Sequence, residues 1–269
     1  MKDKVVLVTG GSSGIGRAIG NHLQEKGFKV YGTTRNLSKQ QDFKDFQLLE
    51  LDVTKPDTIV SALHLLQQKE GAIHVLINNA GIGITGPLEE TPNEAILHNF
   101  ETNFIGPLNM IKAVLPMMRK QKEGLVINIT SIAGKMGLPY RGVYSASKGA
   151  LDLATEALRL ETKDFGIQIC TLAPGDFKTN IAAGRYHAPL KEDSPYHKPY
   201  AATLQMINED VEQAGDPVQV AEKVLAIIQK SSPKVHYKVG SFMQRFSVVL
   251  KRLLPGKVYE KLLRNHYKL

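Results

Sequence analysis

Residues 5–16 read VVLVTGGSSGIG, and this stretch decides the fold. The apolar run Lys4–Thr9 is too short for a helix and ends in glycines, which predicts a buried parallel strand. After the turn, Ile15, Ala18, Ile19 and Leu23 recur at helical spacing over Ile15–Lys26, and Gly27 stands where a helix closes. Phe28–Thr34 is the next apolar run. A strand, a glycine turn, a helix and a second strand form a βαβ unit. In such a unit the glycines let backbone amides approach a pyrophosphate, and the helix N-terminus favours its charge. The spacing G-x-x-x-G-x-G departs from the G-x-G-x-x-G fingerprint, so the context carries the reading rather than the motif alone. It nominates Gly10, Ser12, Ser13, Gly14, Ile15 and Gly16 as the cradle of a dinucleotide.

The alternation continues along the chain. Strands are predicted at Gln47–Leu51, Ile73–Asn78, Leu125–Thr130, Ile167–Leu172 and Val235–Val239. Helices are predicted at Pro56–Gln68, Thr102–Lys120, Val143–Thr162 and Pro217–Gln229. This rhythm implies an α/β fold: a single-domain, doubly wound (Rossmann-type) parallel sheet with helices on both faces. Residues 1–240 form that domain. Within it, 176–216 is the longest stretch without clear periodicity and reads as a substrate lid. Residues 241–269 form a basic C-terminal helical extension.

Which dinucleotide is bound turns on the end of the second strand. NAD binders place an acid there for the ribose 2′-hydroxyl, whereas an arginine accommodates a 2′-phosphate. The residues are Thr33-Thr34-Arg35-Asn36, with no acid. Arg35 is therefore expected to favour NADP(H); the bland alternative makes it a solvated surface residue.

Composition excludes several classes. Hydrophobic residues make up 42% and charged residues 22% of the 269 positions, ordinary for a globular protein. The single cysteine, Cys170, forms no internal disulfide and reads as a small core side chain. The eight histidines show no metal-ligand spacing, so no metal is expected. The opening MKDKVVLVTGG is too short in apolar residues for a leader or a spanning helix, and the expectation is cytoplasmic. Net charge is +8, yet the segment from Lys223 onward holds eleven Lys and Arg against Glu260 alone. A near-neutral body thus carries a basic end.

Tyr144 and Lys148 stand four apart in GVYSASKGAL, and on a helix they share a face. A free phenol titrates near a pKa of about 10. A neighbouring ammonium favours the phenolate and pulls that value toward neutrality, where the group can exchange a proton with a carbonyl or alcohol oxygen. Ser131 follows a strand at its carboxyl end. It either donates to a developing alkoxide or only caps the strand. Asn103 could be a helix N-cap.

With these residues in view, the chain resembles the short-chain dehydrogenases/reductases. The marks are TGGSSGIG at 9–16, LDVT at 51–54, NNAG at 78–81, the Asn of ETNFIG at 101–106, ITS at 129–131, YSASK at 144–148 and APG at 173–175. The resemblance implies catalysis by Ser131, Tyr144, Lys148 and Asn103, with Lys148 also on the nicotinamide ribose and Asn103 ordering a water near it. It implies that Asp52, Val53, Asn79, Ala80 and Gly81 line the adenosine side, and that Pro174, Gly175 and Thr179 face the nicotinamide. It also implies a homodimer or homotetramer, packed through the helix of Tyr144. GIGITGPLEETP and GKMGLPYRGVYSASK are similar to the hydroxysteroid and retinol dehydrogenase branch. With Ile84, Met136, Leu138, Pro139 and Tyr140 near the mouth, this points to an apolar ketone or alcohol, held by Ser131, Leu138 and Tyr144. The competing readings are a 3-oxoacyl thioester reductase and, in another class, a non-catalytic NADPH-sensing or nucleic-acid-binding scaffold. No specific nucleic acid is expected, because the positives of the tail interleave with an apolar stripe. That stripe (Phe242, Phe246, Val249, Leu250, Leu253, then Val258, Tyr259, Leu262, Leu263) either covers the pocket, meets another subunit or lies on an anionic membrane.

Overall fold

The computed structural model describes residues 3–178, 184–212 and 214–269, with the side chains of 210–212 left aside. Seven strands form one sheet: β1 (Val5–Val8), β2 (Lys29–Thr34), β3 (Gln47–Glu50), β4 (Val75–Asn78), β6 (Gly124–Ile129), β7 (Ile167–Pro174) and β9 (His236–Val239). Their order is β3-β2-β1-β4-β6-β7-β9, and every pairing is parallel. The predicted doubly wound sheet is present. Winding runs outward from β1 to β3, then crosses to β4 and proceeds the other way. The reversal opens a crevice at the carboxyl ends of β1 and β4, where such sheets take ligands.

Period-two alternation along the strands builds two cores. Val5 and Leu7 face Leu63 and Leu66 of α2 (Pro56–Glu70) and Met110, Val114 and Met118 of α4 (Gly106–Gln121). Val6 and Val8 face Ile19 and Leu23 of α1 (Gly14–Glu25) and Val220, Val224 and Ile227 of α7 (Val218–Ile228). Cys170 is fully buried in this second core, and burial pushes its thiol up to about 12, so it packs as an inert apolar group.

Three expectations change. The helix expected from Thr102 begins earlier, as α3 (Asn93–Phe100), and runs through one π-turn at Glu101–Ile105 into α4. Asn103 is therefore inside a continuous helical segment and is not an N-cap. The 176–216 excursion contains α6 (His197–Glu212). Its buried positions, Tyr200, Thr203 and Ile207, include a threonine, which blurs the apolar period. The same excursion contributes β8 (Tyr186–His187), which pairs with β5 (Ile84–Thr85) in a two-stranded sheet. Strands of two residues leave no alternation to read.

The C-terminal extension forms α8 (Phe242–Leu253) and α9 (Gly256–Tyr267). Ser241 and Gln244 make a reciprocal capping box at the start of α8, and Pro255 separates the two helices. The expected stripe splits. Leu250, Tyr259 and Leu263 turn to the body with Val248 and Leu254, against Ile132, Met136 and Ala173. Phe242, Phe246, Val249, Leu253, Val258 and Leu262 face outward.

Candidate active site

One cavity of about 560 Å³ opens along the carboxyl ends of the strands. Its first part is the glycine turn. Gly10 and Gly14 take positive φ (64° and 53°), and a Cβ on Gly16 would lie 2.3 Å from the Gly10 carbonyl oxygen. No residue with a side chain fits there without moving backbone. Ser13 is the N-cap of α1 but makes no side-chain cap bond, and the first turn holds no acid. The amides at this N-terminus and its dipole are thus left for an anion. Thr9 ties the turn to the NNAG loop. Its hydroxyl accepts from the Asn79 and Ala80 amides at 2.9 and 3.0 Å, while Asn79 Nδ2 donates to the Thr9 carbonyl at 2.9 Å.

Arg35, Asn36 and Lys39 line one end of the cavity, beside Asp52, Val53 and Thr54. Burial works against the Asp52 carboxylate. Even so, hydrogen bonds from the Thr54 amide and hydroxyl, with the charges of Lys55 and Arg35, hold it below the usual carboxylate range. Ser12, Ser13, Gly14, Ile15, Asn79, Ala80 and Gly81 form the middle. Ser131, Tyr144, Lys148, Pro174 and Gly175 stand at the far end. The shape and chemistry fit a nicotinamide dinucleotide: a glycine cradle, a helix N-terminus and a cationic end beside Asp52.

Tyr144 and Lys148 lie on α5 (Gly142–Glu161). Ser131 caps the short turn after β6, its Oγ accepting from the Ala133 amide at 3.1 Å. That leaves its own proton free to donate. The electrostatics correct the sequence expectation. The Tyr144 phenol is raised from its ordinary value, chiefly by burial. Arg141 opposes this most strongly, followed by a hydrogen bond with Ser131; Asp176 raises it further, and Arg185 lowers it. Lys148 has a backbone partner for its ammonium. It donates to the Ile129 carbonyl at 3.0 Å, and burial brings it down to about 8 against the pull of Asp152 one turn along the helix.

Asn103 acts on the backbone. Its Oδ1 accepts from the Ile82 amide and its Nδ2 donates to the Ile82 carbonyl, both at 2.9 Å. The π-turn sets this reach, as π-turns at functional sites often do. The same side chain crowds Gly81, where a Cβ would lie 3.0 Å from Asn103 Oδ1 and 3.2 Å from Lys148 Nζ. Gly16 and Asn103 support the cavity from behind its surface. Leu138, expected at the substrate, packs instead with Met136 against the C-terminal helices. Thr179 lies outside the described residues. Among the lining residues that were not anticipated, Arg141, Asp176 and Arg185 carry charge near the phenol. No cluster of three or more potential metal ligands occurs among the described residues.

A parallel sheet with its glycine turn, Ser-Tyr-Lys end and Asn-braced loop defines a class. The family model described as short chain dehydrogenase matches residues 4–189, and the chain belongs to that family of oxidoreductases. Over 268 residues it is 37% identical to the 3-ketodihydrosphingosine reductase of Bacteroides thetaiotaomicron, covering 99% of both chains. It is 32% identical to the NADPH-dependent 3-dehydrocapnine reductase of Ornithobacterium rhinotracheale, covering 96% of this chain and 95% of that one. Among solved structures, a short-chain dehydrogenase from Streptomyces avermitilis superposes with a TM-score of 0.81 at 30% identity, covering 98% of this chain and 99% of that one.

Proposed function

We propose that the protein is an NADPH-dependent reductase of a long-chain 2-amino-3-ketone. The observation that supports the reductive direction is that two relatives are named as reductases of a ketone, while Tyr144, a phenol protonated at neutral pH, can give its proton to a carbonyl oxygen. Two relatives whose names give a substrate are a 3-ketodihydrosphingosine reductase and a 3-dehydrocapnine reductase, and the first, at 37% identity over the whole chain, supports a long-chain aminoketone over the steroids and retinoids expected from sequence. Arg35 and Lys39 beside the adenosine end, and the NADPH dependence in the second name, support the cofactor.

The dinucleotide supplies a hydride to the carbonyl carbon when bound. Ser131 donates a hydrogen bond to the carbonyl oxygen and stabilises the charge that develops there. Tyr144 delivers the proton. Lys148 holds positive charge behind both and fixes the ribose, while Asn103 keeps residues 81–83 from closing into the space. A panel of 3-ketosphinganine, a steroid ketone, a retinoid and a 3-oxoacyl thioester, followed by loss of NADPH absorbance, tests the reading. Turnover is expected with the first; turnover of the thioester alone overturns it in favour of the acyl reductase alternative. The exposed Leu153 and Leu160 on α5 support self-association through that helix.

A substrate of this kind resides in a bilayer, and we infer that α8 and α9 rest on an anionic lipid surface. Phe242, Met243 and Leu253 are 68%, 67% and 74% exposed, and Arg245, Lys251, Arg252, Lys257 and Lys261 surround them. An outward apolar face rimmed by cations matches an anionic membrane interface. No helix among the described residues is long and apolar enough to cross a membrane. The protein is expected to float with phosphatidylglycerol vesicles, less so at high salt, and to lose flotation on Phe242→Ser with Leu253→Ser. Flotation unaffected by the double change removes this surface from the account. Point changes are the right tool because Gln244 of α8 also bonds Asp176 in the cavity wall.

A further inference from the structure

One turn beyond Lys148 on α5 stands a carboxylate with no part in the chemistry above. Asp152 and Lys148 are each only 5% exposed. On a helix, residues four apart lie on one face, so the two charges share a buried stripe. A carboxylate is costly in such a place unless cations and donors surround it.

The surroundings of Asp152 are specific. Lys135 Nζ lies 2.9 Å from its Oδ2, and that buried oxygen has no hydrogen-bond partner among the described residues. Thr130 Oγ1 donates to Oδ1 across a long 3.4 Å, and His236 Nδ1 is 3.8 Å from the same oxygen. The His236 ring is engaged elsewhere: Nδ1 meets Thr171 Oγ1 at 2.8 Å, and Nε2 meets Glu156 Oε1 at 2.9 Å. Lys135 is thus the nearest cation to the carboxylate. It arrives on the turn Ile132–Lys135, which presses against α5 at Lys148 itself. A Cβ on Gly134 would lie 3.0 Å from the Lys148 Cβ, and one on Gly149 would lie 3.0 Å from the Gly134 carbonyl oxygen.

The arrangement bears on the charge of Lys148. Its ammonium donates to the Ile129 carbonyl, an acceptor without charge. Burial drives its proton off, and the Asp152 carboxylate opposes that loss. Lys135 draws on the same carboxylate and so limits the pull left for Lys148. The other charged or titratable groups near Lys148 are Tyr144 on its own helix and Arg141, Asp176 and Arg185 in the cavity wall. His236 and Glu156 stand behind Asp152.

We propose that Asp152 is a positioning residue for the reaction: with Lys135 as its counter-cation, it sets the charge that Lys148 presents to nucleotide and substrate. This rests on the part given to Lys148 above and deepens it. A purely structural ion pair would tie α5 to the turn and leave the Lys148 proton alone.

The test titrates Lys148 directly by nuclear magnetic resonance, in protein carrying an isotopic label at the lysine Cε. The resonance is assigned by its loss in Lys148→Arg. The native midpoint is expected at about 8. An opposite charge close by moves a pKa by about one to three units, so Asp152→Asn should lower that midpoint by about one unit or more. Lys135→Met should raise it, because the carboxylate then acts on Lys148 with less competition. Both variants break one ion pair yet move the midpoint in opposite directions, which lost packing does not imitate. Lys135→Met also serves should Asp152→Asn not fold. The alkaline limb of reduction, read with whichever ketone of the panel the native protein turns over, should follow the midpoint in each variant.

Midpoints unchanged in both variants, with only the melting temperature lowered, overturn the proposal and leave Asp152 a structural partner of Lys135. A shift of the same sign in both overturns it as well. Midpoints that move apart beside an alkaline limb that stays put overturn the role in the reaction, and the part given to Lys148 with it. The titration needs no ketone, so an error in the substrate class leaves its outcome intact.

Discussion

Tyr144→Phe is expected to lower kcat for ketone reduction by about 10²–10⁴-fold, the usual worth of a positioned proton donor, while NADPH still binds. The change removes one hydroxyl and keeps the ring, so the ring contact with Arg141 and the place of residue 144 on α5 survive. What is lost is the proton and the bond to Ser131. Fluorescence titration with NADPH separates binding from turnover. Catalysis that survives the change shows that the proton comes from elsewhere.

The same residues set a pH profile. The phenol, raised by burial, remains protonated through neutrality, so reduction does not wait on its titration. Lys148, depressed to about 8, is charged below that pH and loses its proton above it. Reduction should therefore hold to about pH 8 and decline beyond, whereas oxidation of the product alcohol, which needs the phenolate, should rise with pH. Initial rates in both directions across pH 6–10 check this, and a reduction rate that climbs through pH 9 contradicts the assignment.

Arg35→Ala carries the second large effect. Charge-assisted hydrogen bonds are worth about 1.5–3 kcal/mol each, so the KM for NADPH should rise roughly ten- to a hundredfold. NADH has no 2′-phosphate, and its kcat/KM should change little. The ratio of kcat/KM for the two cofactors is the measurement. A native protein that uses both equally shows that Arg35 and Lys39 do not read the phosphate. Lys39, which lines the same end, accounts for the preference that remains after the change.

Strand and helix periods made the doubly wound sheet legible in the sequence, and the glycine turn fixed where its crevice opens. Tyr144, Lys148 and Ser131 were legible as a set, and the structure brings all three to one end of one cavity. Their electrostatics were not. Helical spacing puts Tyr144 and Lys148 on one face, but it cannot show that the ammonium turns to the Ile129 carbonyl. Nor can it show that the cation acting most strongly on the phenol is Arg141, whose place depends on a left-handed Tyr140. Arg185 reaches the site through the pairing of Tyr186–His187 with Ile84–Thr85, a contact between distant segments without any local signature. The outward half of the C-terminal stripe was legible as apolar; which half faces the body depended on how α8 meets Ile132 and Met136.

The uniformly parallel sheet has a consequence for how the chain acquires its structure. No two neighbouring strands are joined by a hairpin, so each pairing closes a loop that includes a crossover, and such sheets form slowly. The edge strand His236–Val239 pairs with β7 late in the chain, so during synthesis the β7 edge stays bare until residue 239 has emerged. Over that interval the nascent chain presents an unpaired, aggregation-prone edge, and recovery of active protein should respond to chaperone supply and growth temperature more than to changes at the catalytic end.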